Sequence, residues 1–254
     1  MTADTDKIDR VARLLSEARQ PGEALAYPPA DLAPADAAEA WAIHQASVAG
    51  LGPVIGWKVG AATPEADIIL GEITASTLFR SPATLPASVL RLWAVEAEIA
   101  VTFDRDLAEE GPVDAEEILA AIGSWHAAIE VLDTAFADWK AAPALWKVAD
   151  RQSHGALILG AGSPQRPIGP LDKLPVRLLV DGAVAFAHEG GNTGGDPTRL
   201  LVALAEKLST SGRPIRAGDV VTTGSTTPFL QAKAGQRVRV EFDGLDPAEL
   251  VVGG

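Results

Sequence analysis

Ile8, Val11, Leu14 and Leu15 recur at helical spacing near the start of the chain, and Pro21-Gly22 follows them, which predicts an amphipathic helix that stops there. A second helix is predicted to start near Asp36 and to carry Trp41, Ile43 and Val48 before Gly50 and Gly52-Pro53 break it. Between them the proline-rich stretch from Tyr27 to Pro34 reads as a linker. From Val54 onward short apolar runs alternate with Gly, Pro and Asp, the texture of a sheet-rich body. Trp93 to Phe103 alternates so that Val95, Ala97, Ile99 and Val101 share one face and Glu96 and Glu98 the other. Further strands are predicted at His126–Leu132, Val176–Val180, Val184–Ala187, Asp219–Thr223 and Arg237–Phe242, with a helix from about Asp114 to Ile122. One more helix is marked by Asp196 as its cap, Pro197 in its first turn and a stripe of Leu200, Leu201, Leu204 and Leu208 ending before Gly212. Strands outnumber helices without regular alternation, so the expected fold is α+β with a mixed, largely antiparallel sheet. The division expected is an N-terminal helical segment over 1–53 and a β-rich catalytic domain over 54–254.

Composition narrows the function. The chain of 254 residues carries a formal charge of -13, which repels phosphate backbones, and no Lys/Arg cluster interrupts that field, so nucleic-acid binding is not expected. An anionic substrate would need a local positive charge such as a metal ion. The chain has no cysteine, which removes disulfides, thiolate metal sites and cysteine nucleophiles. The stretch from Thr2 through Ala30 lacks the apolar run of a signal peptide, and no window has the length of a membrane span, so a cytoplasmic protein without membrane contact is expected.

Glu96 and Glu98, at i and i+2 on one strand, point to the same side and can converge on one ion. Glu130 lies within Ala127-Ala128-Ile129-Glu130-Val131-Leu132, where a lone ionised carboxylate costs several kcal/mol unless it is paired or metal-bound. Three such groups on strands suggest a hard cation on oxygen ligands, with Mg²⁺ or Mn²⁺ the best fit. The alternative is that Glu96 and Glu98 form a solvated strand face and Glu130 pairs with a lysine. The four histidines, His44, His126, His154 and His188, lack metal-ligand spacing, and only His154 stays as a minor candidate. The Gly190–Pro197 loop lacks the order of a phosphate loop and reads as a turn feeding the helix that could line a pocket. The scattered tryptophans read as packing residues, with Trp57 a possible pocket wall beside Lys58.

Gly56-Trp57-Lys58-Val59-Gly60, Val95-Glu96-Ala97-Glu98-Ile99-Ala100, Ala128-Ile129-Glu130-Val131, Val148-Ala149-Asp150 and Ala217–Gly224 occur in that order. With these segments the chain resembles the 2-keto-4-pentenoate hydratase family of the fumarylacetoacetate hydrolase superfamily, over roughly residues 35 to 250. The resemblance implies a β-sandwich-like roll, a homo-oligomer, Mg²⁺ or Mn²⁺ on Glu96, Glu98 and Glu130, and a Lys58 that reaches a small 2-oxo acid substrate. It implies hydration of a 2-hydroxy-2,4-dienoate or 2-oxo-enoate through a metal-stabilised enolate, with Lys58 moving the proton and Ser225 holding the substrate. Two departures stand out. Where hydratases carry an acid after Thr77-Leu78-Phe79, this chain reads Arg80-Ser81-Pro82, so Ser81 is expected at the proton-transfer position. After Val148-Ala149-Asp150 the family's Asn is replaced by Arg151, followed by Gln152 and Ser153, which makes Arg151 and Ser153 expected substrate contacts. Decarboxylation or tautomerisation of a 2-oxo acid or diacid is the nearest rival reaction, and a non-catalytic oligomeric binding protein on the same fold is the rival from another class.

Overall fold

The computed structural model describes residues 5–20, 22–108 and 113–254. In chain order the elements are α1 (Thr5–Ala18), α2 (Ala37–Val48), β1 (Val54–Gly60), β2 (Ile69–Thr74), β3 (Leu78–Arg80), β4 (Ala83–Leu85), β5 (Ala94–Phe103), α3 (Ala115–Ala121), β6 (Ile122–Leu132), α4 (Ala144–Ala149), β7 (His154–Leu159), β8 (Pro175–Val180), β9 (Ala183–Glu189), α5 (Pro197–Thr210), β10 (Val220–Ser225), β11 (Leu230–Gln231), β12 (Arg237–Phe242) and β13 (Ala248–Val252). Pro21, one of the expected breakers of the first helix, lies outside the described residues. Among the described residues no helix is long and apolar enough to cross a membrane.

Two sheets carry the fold. The larger runs β2-β1-β10-β5-β6-β7-β3, with β11 joined to β5, and the smaller runs β4-β13-β12-β8-β9. Among the strands of the described residues only β1–β10, β3–β7 and β4–β13 pair in parallel, so the architecture is the expected α+β type with mixed, largely antiparallel sheets. The alternation along β5 divides the molecule. Val95, Ala97, Ile99 and Val101 join the main core with Ile129 and Val131 of β6, Val238 and Val240 of β12 and Leu250 of β13, all excluded from water. The opposite face of the larger sheet is concave. Ile73 of β2 and Leu157 of β7, far apart in the strand order, share one buried cluster there with Ala100, Ala128 and Val220.

The helices are capped as their sequences dictate. Asp36, Asp114 and Asp196 accept from the backbone N–H groups of Glu39, Glu117 and Thr198. The leucine stripe of α5 is fully buried against the main core. Helices α1 and α2 pack with Phe136 and with Trp146 and Ala149 of α4 in a second cluster. A buried ion pair ties this layer down. Arg19 donates from Nε to Asp150 Oδ1 at 2.7 Å and from Nη1 to the His154 carbonyl at 2.8 Å, while Asp150 Oδ2 accepts from Thr134 and from the Ala135 N–H. Thus Asp150 anchors the N-terminal helices to the stretch that leads into β7.

Candidate metal centre

Register places the carboxylates. Glu96 of β5 lies directly opposite Glu130 of β6, and Glu98 is opposite Ala128 on one side and Ser225 of β10 on the other. Because direct cross-strand partners point to the same face, all three side chains enter the concave side, where Ala100 and Ala128 leave room. Ligand oxygens of Glu96, Glu98 and Glu130 lie within 4.8 Å of one another. Lys58 arrives from β1, which β10 separates from β5. That spacing depends on Gly56, since a Cβ there would stand 2.0 Å from the Val220 carbonyl oxygen and force β1 off β10.

Lys58 Nζ donates to Glu130 Oε1 at 2.6 Å and to the Gln152 carbonyl at 3.1 Å. An ammonium has three donors, so one remains for a ligand. Glu130 Oε1 also meets His154 Nδ1 at 3.0 Å, and His154 Nε2 meets Thr77 Oγ1 at 3.0 Å. The Gly224 N–H donates to Glu98 Oε2 at 3.2 Å. Burial works to raise the pKa of Glu130, but the Lys58 charge and His154 overcome it and hold the group at about 2. Its neighbours go the other way. Burial, then the Glu130 charge, pushes Glu96 up to about 7 and Glu98 well above the carboxylate range. Three ionised carboxylates and one ammonium would leave two negative charges uncompensated in a site where Glu98 and Glu130 are almost fully excluded from water. A divalent cation supplies that charge, and an all-carboxylate donor set suits a hard one. The residues present therefore fit a metal ion.

The pocket over these groups measures about 170 Å³ and is bordered by Lys58, Glu96, Glu98, Glu130, Gln152, Thr193 and Ser225 among others. Ser225 Oγ donates to the Thr227 carbonyl at 2.6 Å, which holds the hydroxyl at the pocket border. Thr193 comes from the glycine-rich loop, which Asn192 clamps onto β10 by donating to the Thr223 carbonyl at 2.7 Å. Five of the expected site residues thus share one pocket: Lys58, Glu96, Glu98, Glu130 and Ser225.

Ser81, Arg151 and Ser153 do not line it. Ser81, expected at the proton-transfer position, follows β3 at the sheet edge, where its hydroxyl accepts from the Glu249 N–H at 2.8 Å and its own N–H donates to the Leu159 carbonyl, so it joins the two sheets outside this pocket. Arg151, Gln152 and Ser153 all adopt left-handed backbone, with φ of 56°, 48° and 56°. Three successive non-glycine residues in this conformation are uncommon and turn neighbouring side chains in unexpected directions. Gln152 reaches the carboxylate pocket, whereas Arg151 lines a separate cavity of about 290 Å³ with Arg19, Thr77 and Asp133. Burial, then the Arg19 charge, lowers its guanidinium to about 9. Ser153 is buried, its backbone bridging Asp150 and Asp133. Sequence reasoning named none of Gln152, Thr193 and Thr77 individually, though it expected the loop that carries Thr193 to line a pocket. The signals available for the first two were the unusual Arg-Gln-Ser stretch and the glycine-rich loop.

A carboxylate cluster of this kind, open to a small pocket on the concave side of a curled sheet, fits a divalent-metal enzyme acting on a small molecule. The family pattern described as fumarylacetoacetate (FAA) hydrolase C-terminal matches residues 44–252. The chain belongs to the fumarylacetoacetate hydrolase family. It is 31% identical, over 96% of each chain, to the 2-keto-4-pentenoate hydratase of Burkholderia vietnamiensis (strain G4 / LMG 22486). It is 30% identical to the 2-hydroxyhexa-2,4-dienoate hydratase of Comamonas testosteroni, over 76% of this chain and 75% of that one. Among solved structures, the 4-oxalocrotonate decarboxylase from Pseudomonas putida G7, complexed with magnesium and adipate, superposes with a TM-score of 0.85 over 99% of both chains at 21% identity.

Proposed function

We propose that this chain is a hydro-lyase that hydrates 2-hydroxy-2,4-dienoates or the related 2-oxo-enoates, with Mg²⁺ or Mn²⁺ held by Glu96, Glu98 and Glu130. One observation carries the reading: the three carboxylates and the Lys58 ammonium converge on one small pocket. The names of the hydratases to which the chain is similar support it. When bound, the cation supplies the positive charge that an acidic chain needs to hold an α-oxo carboxylate and to stabilise negative charge on its 2-oxygen.

The rest of the work falls to the chain. Ketonisation takes the proton from the 2-hydroxyl and adds one to the remote carbon of the dienol. Water then adds across the 3,4 double bond, oxygen to C4 and hydrogen to C3. Lys58 is the group we assign to these proton movements, because its remaining donor is free for the substrate while Glu130 and Gln152 hold Nζ in place. Gln152 and Thr193 border the pocket and are the polar groups we assign to the incoming water. His154 orients Glu130 from behind, and Thr77 in turn fixes His154. We also infer, from the family resemblance, a homo-oligomer, which light scattering during size-exclusion chromatography tests.

The test is product analysis on 2-hydroxypenta-2,4-dienoate with the Mg²⁺-supplemented enzyme. Loss of the dienol absorbance with matching appearance of 4-hydroxy-2-oxopentanoate is expected. Carbon dioxide release from a 2-oxo diacid, without hydration of the mono-acid, would move the assignment to a decarboxylase. Metal binding with no turnover of either acid would make it a binding protein.

A further inference from the structure

The carboxylate pocket does not stand alone. Ile69, Leu70 and Gln152 line both it and a larger cavity of about 550 Å³, so the two spaces adjoin. Pockets that enclose drug-sized ligands run to roughly 300–1,000 Å³, so the smaller space suits an acid head group and the larger one a second, bulkier part. A five-carbon substrate would leave the larger cavity empty.

The lining says what that part is. Trp41 and Ala37 of α2, Trp57 of β1, Ile68, Leu70, Val148 of α4 and Leu208 of α5 make it mainly apolar. Both tryptophans are held in place. Trp41 stacks on the buried His44 with ring centroids 4.4 Å apart, and Arg213 covers Trp57 at 4.7 Å while ion-paired to Glu72. Arg213 is thus already neutralised, and Lys207, the other cation on the lining, is exposed to solvent, so the buried walls are apolar rather than cationic. At the junction Ile69 is 53% exposed, a large apolar side chain left facing solvent where a substrate would pass from head to tail. Fixed aromatic walls favour flat or cyclic apolar groups.

We propose that the larger cavity is the tail site and that the enzyme prefers 2-hydroxydienoic or 2-oxo acids with an aryl or alicyclic tail over the five-carbon acid. This rests on the reading of the carboxylate pocket as the head-group site. Two readouts test it on the full-length, Mg²⁺-supplemented protein. The first is binding of 2-oxo-6-phenylhexanoate and of 2-oxopentanoate, followed by tryptophan fluorescence and calorimetry. The second is kcat/KM for 2-hydroxy-6-phenylhexa-2,4-dienoate against 2-hydroxypenta-2,4-dienoate. The aryl acid is expected to win by about tenfold or more in both, and to perturb the fluorescence more than the short acid does. Gln45→Trp, at an exposed α2 position on the far side of the cavity, should fill it and cut both ratios by about tenfold. Equal values for the two acids, a better result with a 2-oxo diacid, or ratios indifferent to Gln45→Trp would overturn the tail site while leaving the head-group reading intact. Failure of every 2-oxo acid to bind to metal-loaded protein would overturn the head-group reading, and the tail site with it.

Discussion

Removing Lys58 should destabilise the metal-free protein far more than the metal-loaded one. Its Nζ lies 2.6 Å from Glu130 Oε1, and Glu130 is only 1% exposed with Glu96 and Glu98 beside it. In Lys58→Met the Glu130 carboxylate keeps the His154 contact but loses the ammonium that opposes both its desolvation and the repulsion of its neighbours. Breaking a buried pair by deleting one partner costs about 3–5 kcal/mol. That range is the expected loss in urea denaturation with excess chelator, followed by tryptophan fluorescence at mildly alkaline pH. With saturating Mg²⁺ the cation supplies the missing charge and binds only the folded state, so at least half of the loss should disappear. A loss below about 1 kcal/mol in chelator, or the same loss with and without Mg²⁺, would refute the argument that Lys58 and a cation neutralise one carboxylate cluster.

Three further outcomes follow from the same structure. His44 is buried neutral, its Nδ1 at 3.1 Å from the Val148 carbonyl and its Nε2 accepting from the Glu72 N–H, and burial lowers its pKa from 6.5 to about 3. Between those values the unfolded chain binds a proton that the folded one does not, so stability falls with falling pH from about 6.5 to 3 by up to about 1.4 kcal/mol per unit; denaturation at stepped pH should show a shallower slope in His44→Gln. Arg19→Met should cost about 3–5 kcal/mol in the same assay by leaving Asp150 buried and unpaired, and Asp150→Asn in that background should recover part of it. Arg151→Asn should leave kcat/KM on a mono-acid within about twofold, because the side chain faces a different cavity; a loss of tenfold or more would place Arg151 at the substrate after all.

Local periodicity carried much of the fold. The alternation along β5 separates core valines from Glu96 and Glu98, and the cap, proline and leucine stripe of α5 state its limits within a few residues. What lay outside local pattern was the pairing. That Glu96 faces Glu130 across β5 and β6, and that β10 lies between Lys58 and both, are matters of register and strand order which depend on contacts more than thirty residues apart. Short elements such as α4 and β3 have too few residues to show a period. Ser81 was nominated by its neighbours in sequence, yet the edge position of β3 spends its hydroxyl on β13. Arg151 and Gln152 line different cavities from a left-handed stretch of three successive residues, a conformation that has no mark in residue type alone.

The most direct test of the central claim is Mn²⁺ binding to the purified, chelator-treated protein by calorimetry, with electron paramagnetic resonance to count bound ions. One Mn²⁺ per chain is predicted for the wild type. Glu96 is held at about 7 and Glu98 well above its ordinary range without a cation, so binding near neutral pH should release protons and give an enthalpy that varies with the buffer. Glu98→Ala and Glu130→Ala should each remove an anionic ligand and weaken binding severely. A wild type that binds no Mn²⁺, or that binds it as tightly after either substitution, would contradict the assignment of Glu96, Glu98 and Glu130 as the metal centre.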